Sequence, residues 1–420
     1  FTVTITVNPT PTMEAPPNIE VCNGEDVTID FTTDNTGGVT TYEWSAEGDP
    51  IGLDPTSGVV TDSDSDISFT ASNIPPLANE PKEVIITVTP IFTNDGVSCT
   101  SDQQQTFTII VNPEPQIDDF AETICEGDTF ASITPVNDTN GVVPSGTTYT
   151  WVIHDDSSPD VIGGSASTAP SATIPGSELT LEDDVTEPRD LIYRVTPNTE
   201  EGCEGEDFTV TITVNPTAQV NQPDNETYCN GDTTNIIFDT ENIGGDTTYA
   251  WEVVEGSDDI GEINIQGSGE GSINLPVVNG LFDVLTATIE VTPTFTNNDV
   301  ECVGPSKLFT INVLPDVELV PIDDITICHG DTLEVDFETN FIGGAISYQW
   351  VSSQTIFNSD IGNQGNDSFL NFEVINNDPN NTITSIITVT PTYSLDGEAC
   401  EGQPEAFNVT VNPNSEMNDP

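Results

Sequence analysis

Basic residues are almost missing from this 420-residue chain: four Lys/Arg stand against 72 Asp/Glu, a formal net charge of −68. The four are Lys82, Arg189, Arg194 and Lys307. A surface this acidic repels nucleic acid and anionic membranes, which excludes both as partners. It also excludes salt bridges as the main cohesive force, since few cations exist to make them. No run of 18 apolar residues occurs, so no segment reads as a membrane-spanning helix and no direct membrane insertion is expected. Histidine is nearly absent too, with only His154 and His329, and no CxxC pair occurs. That leaves neither a zinc site nor a catalytic triad. No Ser-rich stretch has the form of a nucleophile elbow, and no glycine pair is followed by the lysine of a phosphate loop. Nothing points to an enzyme, and no resident cofactor is expected.

What is present is a period. The decapeptide "FTVTITVNPT" occupies residues 1–10 and again 208–217. Phe1, Val3, Ile5 and Val7 alternate with threonines, the pattern of a half-buried strand, and Asn8-Pro9 ends it. The same stop recurs at Pro113, Pro216 and Pro413, and Val-Leu-Pro fills the slot at Pro315, at intervals of 98 to 104 residues. That is the size of one small domain. Four further markers keep this beat. A Cys-x-Gly-acid turn begins at Cys22, Cys125, Cys229 and Cys328. A Tyr-x-Trp strand follows with Tyr42 and Trp44, Tyr149 and Trp151, Tyr249 and Trp251, and Tyr348 and Trp350. A Val-Thr-Pro strand ends at Pro90, Pro197, Pro293 and Pro391, and a second cysteine follows at Cys99, Cys203, Cys302 and Cys400.

Helix formers are scarce, no 3.6-residue period is sustained, and short alternating segments dominate. The expected fold is all-β: four tandem β-sandwiches of about seven strands each. The repeats are 10–113, 114–216, 217–315 and 316–413; residues 1–9 read as the last strand of a preceding repeat cut through its body, and 414–420 as a tail. Strands of eight to ten residues rising about 3.3 Å each predict units of roughly 40 Å in an extended rod of roughly 160 Å. Tyr-x-Trp places both rings on one strand face, hence in the core, with sugar stacking as the functional alternative. The pairs Gly37-Gly38, Gly244-Gly245 and Gly343-Gly344 read as turn glycines.

The eight cysteines, two per repeat and 72 to 78 residues apart, suggest disulfides and an oxidising extracellular setting. Bridges within each repeat are favoured, and would stabilise each by roughly 4 kcal/mol in the chain-entropy view. A bridge between neighbours, such as Cys22 to Cys203, is the geometric alternative, because the turn and the last hairpin belong to opposite ends of a sandwich. Asp62, Asp64 and Asp66 have the spacing that opens a calcium loop, but the glycine and final glutamate of that loop are replaced by Ile67 and Asn73. A solvated acidic loop competes with this reading, and calcium is the one ion to test. The pairs Asp118-Asp119 and Asp323-Asp324 follow an inter-repeat proline, where a bridging cation is a second calcium hypothesis. His154 and His329 read as isolated surface residues.

Together, Cys-x-Gly-acid, Tyr-x-Trp, Val-Thr-Pro, Cys and Val-Asn-Pro resemble the PKD-like, immunoglobulin-like repeats of giant Bacteroidota surface proteins, including the mobile adhesins of gliding flavobacteria. The resemblance covers residues 10–413. It implies export by the type IX system, a cell-surface filament, and adhesion during gliding. The acid-rich motif that follows the Trp of a typical PKD domain is not matched by Ser45–Asp49. A passive spacer and an array of carbohydrate-binding modules are the alternative functions. The partners implied are neighbouring repeats of the same chain and surface polysaccharide.

Overall fold

The computed structural model describes residues 1–61, 66–73, 79–256, 260, 267–269, 271–341, 345–358 and 362–414. All regular structure among them is β. Two compact units, Phe1–Asn215 and Pro216–Pro420, each hold two of the repeats.

In the first repeat the main sheet runs Ile19–Cys22, Gln105–Asn112, Lys82–Asn94, Val39–Gly48, Ser57–Thr61, and Asp26–Asp30 pairs with Asp66–Thr70 in the facing layer. The opening strand lies parallel to the closing one, with Cys22 opposite Asn112. The other pairings are antiparallel, and Lys82–Asn94 folds back on Val97–Thr100 as a hairpin with Cys99 opposite Phe92. The third and fourth repeats reproduce this order. The second keeps only its core: Phe120–Cys125, Phe208–Asn215, Arg189–Asn198 and Thr148–Ile153.

Alternation becomes burial. In Phe208–Asn215 the residues Phe208, Val210, Ile212 and Val214 are buried, and the intervening threonines line the other face. Each repeat has its own apolar core, so stability is local to each. The Tyr-x-Trp strands feed these cores. Tyr42, Trp44, Tyr149, Trp151, Tyr249 and Trp350 are buried, while Trp251 and Tyr348 are half-buried against the same clusters. Burial pushes the Tyr149 phenol up to about 12. Three of the tryptophans sit directly opposite a glycine on the neighbouring strand: Trp44 on Gly58, Trp251 on Gly267, Trp350 on Gly365. A Cβ on Gly365 would lie 2.7 Å from the Trp350 indole, so the ring covers backbone that no side chain could share.

Two expectations need correction. Residues 1–9 form no strand, although they carry the letters of Phe208–Asn215, and Phe1, Val3, Ile5 and Val7 are exposed. A strand needs a neighbour for its hydrogen bonds, and at 208–215 two flanking strands supply them. The Gly-Gly pairs also do two jobs rather than one. Gly37 and Gly244 have positive φ, whereas Gly38 and Gly245 allow the close approach of Phe92 and Phe295, whose rings lie 2.5 Å from where a Cβ would stand. Gly343-Gly344 lies outside the described residues.

Candidate functional site: the bridged junctions

The Cys-x-Gly-acid turn is built the same way in every repeat. Its glycine takes a left-handed φ of 83° to 89° at Gly24, Gly127, Gly231 and Gly330, which other residues reach only with strain. The glycine N–H donates across to the facing layer, Gly24 to the Ala71 carbonyl and Gly330 to Val374. The N–H of the preceding residue donates to the last carbonyl of the closing strand, Asn23 to Asn112 and His329 to Asn412. The acid turns back on the cysteine: Glu25 Oε2 accepts from the Cys22 N–H at 3.0 Å, and Asp232 Oδ2 from Cys229 at 2.9 Å. The cysteine is thereby held at the end of the sandwich where the chain leaves for the next repeat.

A buried asparagine locks this turn to the closing strand. The Asn279 Nδ2 donates to the carbonyls of Asp283 and Val313, and its backbone N–H donates to Asn230 Oδ1, all at 2.8 Å. Asn73 and Asn376 do the same for the first and fourth turns. In the fourth, His329 Nδ1 is the acceptor from Asn376 at 2.9 Å, so His329 is a working part of the turn and not an isolated surface residue. The second repeat changes both partners together: Glu126 stands in the turn, and a buried Leu181 stands where the others have asparagine.

The second cysteine of each repeat sits on the far hairpin. Lys82 pairs with Val111, next to the turn, and Phe92 pairs with Cys99 ten residues on, so Cys22 and Cys99 are separated by about 33 Å of strand. A disulfide spans Cα atoms only about 4.4–6.8 Å apart. The favoured bridges within repeats are therefore overturned. Cys22 bonds to Cys203, and Cys229 to Cys400, each with Cα atoms 5.6 Å apart. The turn of one repeat is joined to the hairpin of the next. Cys125 and Cys302 are also disulfide-bonded, and the partners a within-repeat scheme would give them, Cys203 and Cys229, are already taken. Cys99 and Cys328 are free thiols, contrary to the expectation that all eight are oxidised.

Non-covalent contacts close the same junctions. Asn23 Nδ2 donates to Glu114 at 3.2 Å and Asn230 Nδ2 to Asp316 at 2.7 Å, in each case the acid just after the inter-repeat proline. Leu314, Val317, Phe341, Tyr393 and Cys400 form a small core of their own, with Cys229, Val284, Ile346 and Leu395 against it. Phe341 and Tyr393 meet edge to face at 4.5 Å. The hairpin approaches the linker so closely that a Cβ on Gly205 would lie 2.1 Å from the Pro115 carbonyl, and one on Gly402 2.0 Å from Val317.

Asp62 and Asp64 lie outside the described residues, and Asp66 opens the strand Asp66–Thr70. No group of three or more potential metal ligands occurs among the described residues. At the acidic pairs, Asp119 Oδ1 accepts from the Thr209 N–H at 2.6 Å and Asp324 Oδ1 from the Asn408 N–H at 2.8 Å. Asn18 and Asn225 make the equivalent bond to Thr108 and Thr310. These positions pin the opening strand to the closing one, a role that amide and carboxylate fill alike. The Asn408 N–H groups hold the Asp324 carboxyl below the usual aspartate value. Its folded pKa being depressed, the contribution is present above the unfolded value of about 3.9 and is lost as pH falls through the folded one. Asp324→Ala, which removes the acceptor altogether, is expected to lower the urea midpoint of the fourth repeat at pH 7 relative to the parent chain. The gap is expected to begin narrowing only below the unfolded value of about 3.9, as the pH falls towards the depressed folded one; a gap independent of pH would contradict the assignment.

Two segments match the PKD-like domain family. They are residues 122–218 and 325–415, the second and fourth repeats. The second and fourth repeats thus match that family, and the first and third carry the same turn, hairpin and closing strand in one all-β array. No curated protein matches the sequence. Among solved structures, Drosophila N-cadherin EC1-4 aligns over 95% of this chain and 99% of its own at 14% identity and a TM-score of 0.30. The human desmocollin-1 ectodomain aligns over 96% and 81% at 15% identity, TM-score 0.28. Three N-terminal domains of the Hoc protein of bacteriophage RB49 align over 70% and 96% at 12% identity, TM-score 0.36.

Proposed function

We propose that this chain is a tension-bearing segment of a large bacterial cell-surface adhesin filament, used in attachment and gliding motility and exported by the type IX route. The observation that supports this reading best is the pair of bridges joining one PKD-like repeat to the next, Cys22 to Cys203 and Cys229 to Cys400. A bridge inside one domain stabilises that domain; a bridge across a junction links domains in series, which is what a filament under load needs. Disulfides also suit an oxidising, extracellular setting. The acidic surface keeps neighbouring filaments apart and leaves them soluble. Catalysis has no part in the proposal: the repeats are structural modules.

Adhesion would come from weak contacts multiplied by copy number, with surface polysaccharide as the partner. Sugar stacking is left little to work with, since Trp44, Trp151 and Trp350 are in the cores. Trp251 is the exception; it lines a groove of about 580 Å³ with Glu252, Ser268, Glu290 and Thr292. Beads coated with the oxidised chain are expected to be retained under flow on polysaccharide films more strongly than beads coated with an unrelated acidic protein. Trp251→Ala is expected to reduce that retention if the groove holds sugar. Retention equal to the control on every surface would leave the filament role as a spacer and remove the adhesive one.

A further inference from the structure

The third repeat departs from the others on the outer face of its main sheet, beside the groove that Trp251 lines. The residue before the tryptophan is Glu43 in the first repeat, Thr150 in the second and Gln349 in the fourth, each opposite a threonine of the next strand. In the third it is Ala250, opposite Thr292 on one side and Ser268 on the other. Alanine has only a methyl group to place there, so the floor of the groove stays open where a larger side chain would lie across it. The volume, about 580 Å³, is in the range of sites that take small molecules.

The residue after the tryptophan changes too. Ser45 faces Thr87, Val152 faces Arg194 and Val351 faces Thr388, pairs that carry at most one charge. In the third repeat Glu252 faces Glu290 in register. Side chains directly opposite in an antiparallel pair stand about 4.5–5.5 Å apart at Cβ, and like charges there repel. The Ser306 hydroxyl donates to Glu290 Oε1 and so orients that carboxylate. Both acids line the groove together with Trp251, and none of the described residues lining it is basic. Two carboxylates and a tryptophan thus surround one opening. These are the groups that hold a protonated amine, by charge-assisted hydrogen bonds and by attraction to an aromatic ring.

We propose that this groove takes a polysaccharide bearing protonated amino groups, a polymer of 2-amino-hexose, with an ammonium seated between Glu252 and Glu290. The inference rests on the reading of the groove as a sugar site and names the class of sugar. Charge selects this class. A neutral glycan does nothing for the repulsion between the two acids, and an anionic one would meet a chain of net charge −68. An ammonium cancels that repulsion, while the hydroxyls of Ser268 and Thr292 can pair with those of the sugar. Binding is expected to weaken as salt rises and as alkaline pH removes the proton from the amine.

The test titrates the full chain, at about 0.15 M salt, with a glucosamine tetramer, with the N-acetylated tetramer of the same linkage, and with tetralysine. The free-amine tetramer is expected to bind at least tenfold more tightly than the acetylated one. Glu252→Gln combined with Glu290→Gln is expected to erase that advantage and leave the acetylated tetramer's affinity unchanged. This variant is expected to melt no lower than the parent, since it removes a repulsion. Glu43→Gln combined with Glu47→Gln takes two exposed charges from the first repeat and is expected to keep the advantage intact. Ala250→Gln, which copies Gln349, is expected to weaken both tetramers. Equal affinity for the two tetramers would overturn the proposal and leave the sugar reading standing; binding of neither would overturn both. An advantage lost equally in the Glu43 and Glu47 variant would be general attraction to an acidic chain, and would overturn it. So would tetralysine binding as tightly, with the same dependence on Glu252 and Glu290, since the groove would then be a site for cationic peptide.

Discussion

Pulled from its two ends, the oxidised chain is expected to lengthen to about 250 Å and no further, whereas the reduced chain is expected to reach about 1,500 Å. The difference follows from the covalent path. Through the Cys22–Cys203 and Cys229–Cys400 bridges, tension runs over residues 1–22, 203–229 and 400–420 and bypasses the rest. That path is about 70 residues long, at roughly 3.5 Å each when extended. Every residue from 23 to 202 and from 230 to 399 is shielded from load, so the oxidised chain should show no release of a repeat-sized length. Reduction should restore four events of about 100 residues each. Single-molecule force spectroscopy with and without reductant reads this directly. Four equal short steps in the oxidised chain, each the free remainder of a repeat closed on itself, would contradict the junction bridges.

Asn279→Ala is expected to lower the stability of the third repeat by about 3–4 kcal/mol, seen as a fall of roughly 2 M in its urea midpoint. The side chain is 3% exposed and serves two carbonyls, Asp283 and Val313, besides accepting the Leu281 N–H through Oδ1. Removing it leaves those groups without a partner and out of reach of water, the costly direction of hydrogen-bond loss. The effect should pass to the junction, because Val313 precedes the linker and the Asn279 backbone supports Asn230, which holds Asp316. A change below about 1 kcal/mol would mean that the bracket is redundant.

Much of the architecture was legible because its causes are local. Alternating Phe208, Val210, Ile212 and Val214 specify a strand with one buried face, and the Val-Asn-Pro stops specify where repeats meet. Tyr-x-Trp pointed to the core because residues two apart share a face. What could not be read locally was pairing. The decapeptide at 208–217 becomes a strand between two partners, and the same letters at residues 1–10 do not. Equal spacing of paired cysteines invites bridges within a repeat. Only the parallel pairing of Ile19–Cys22 with Gln105–Asn112 shows that the two thiols of one repeat stand at opposite ends. A signal did exist, in the mismatch between a first turn and a last hairpin, and it favoured the Cys22–Cys203 alternative. The asparagine bracket carried a fainter one. Asn23 goes with Asn73, Asn230 with Asn279 and His329 with Asn376, and only the second repeat changes both partners, to Glu126 and Leu181. Asp119 and Asp324 each accept an N–H of their own repeat, a structural role that their place beside a linker did not reveal.

Disulfide mapping tests the central claim most directly. The chain would be alkylated without reduction, to cap Cys99 and Cys328, then digested and its linked peptides identified by mass spectrometry. The junction account requires Cys22 joined to Cys203 and Cys229 joined to Cys400, with alkylated Cys99 and Cys328. Cys22 joined to Cys99, or Cys328 to Cys400, would close each repeat on itself and contradict it.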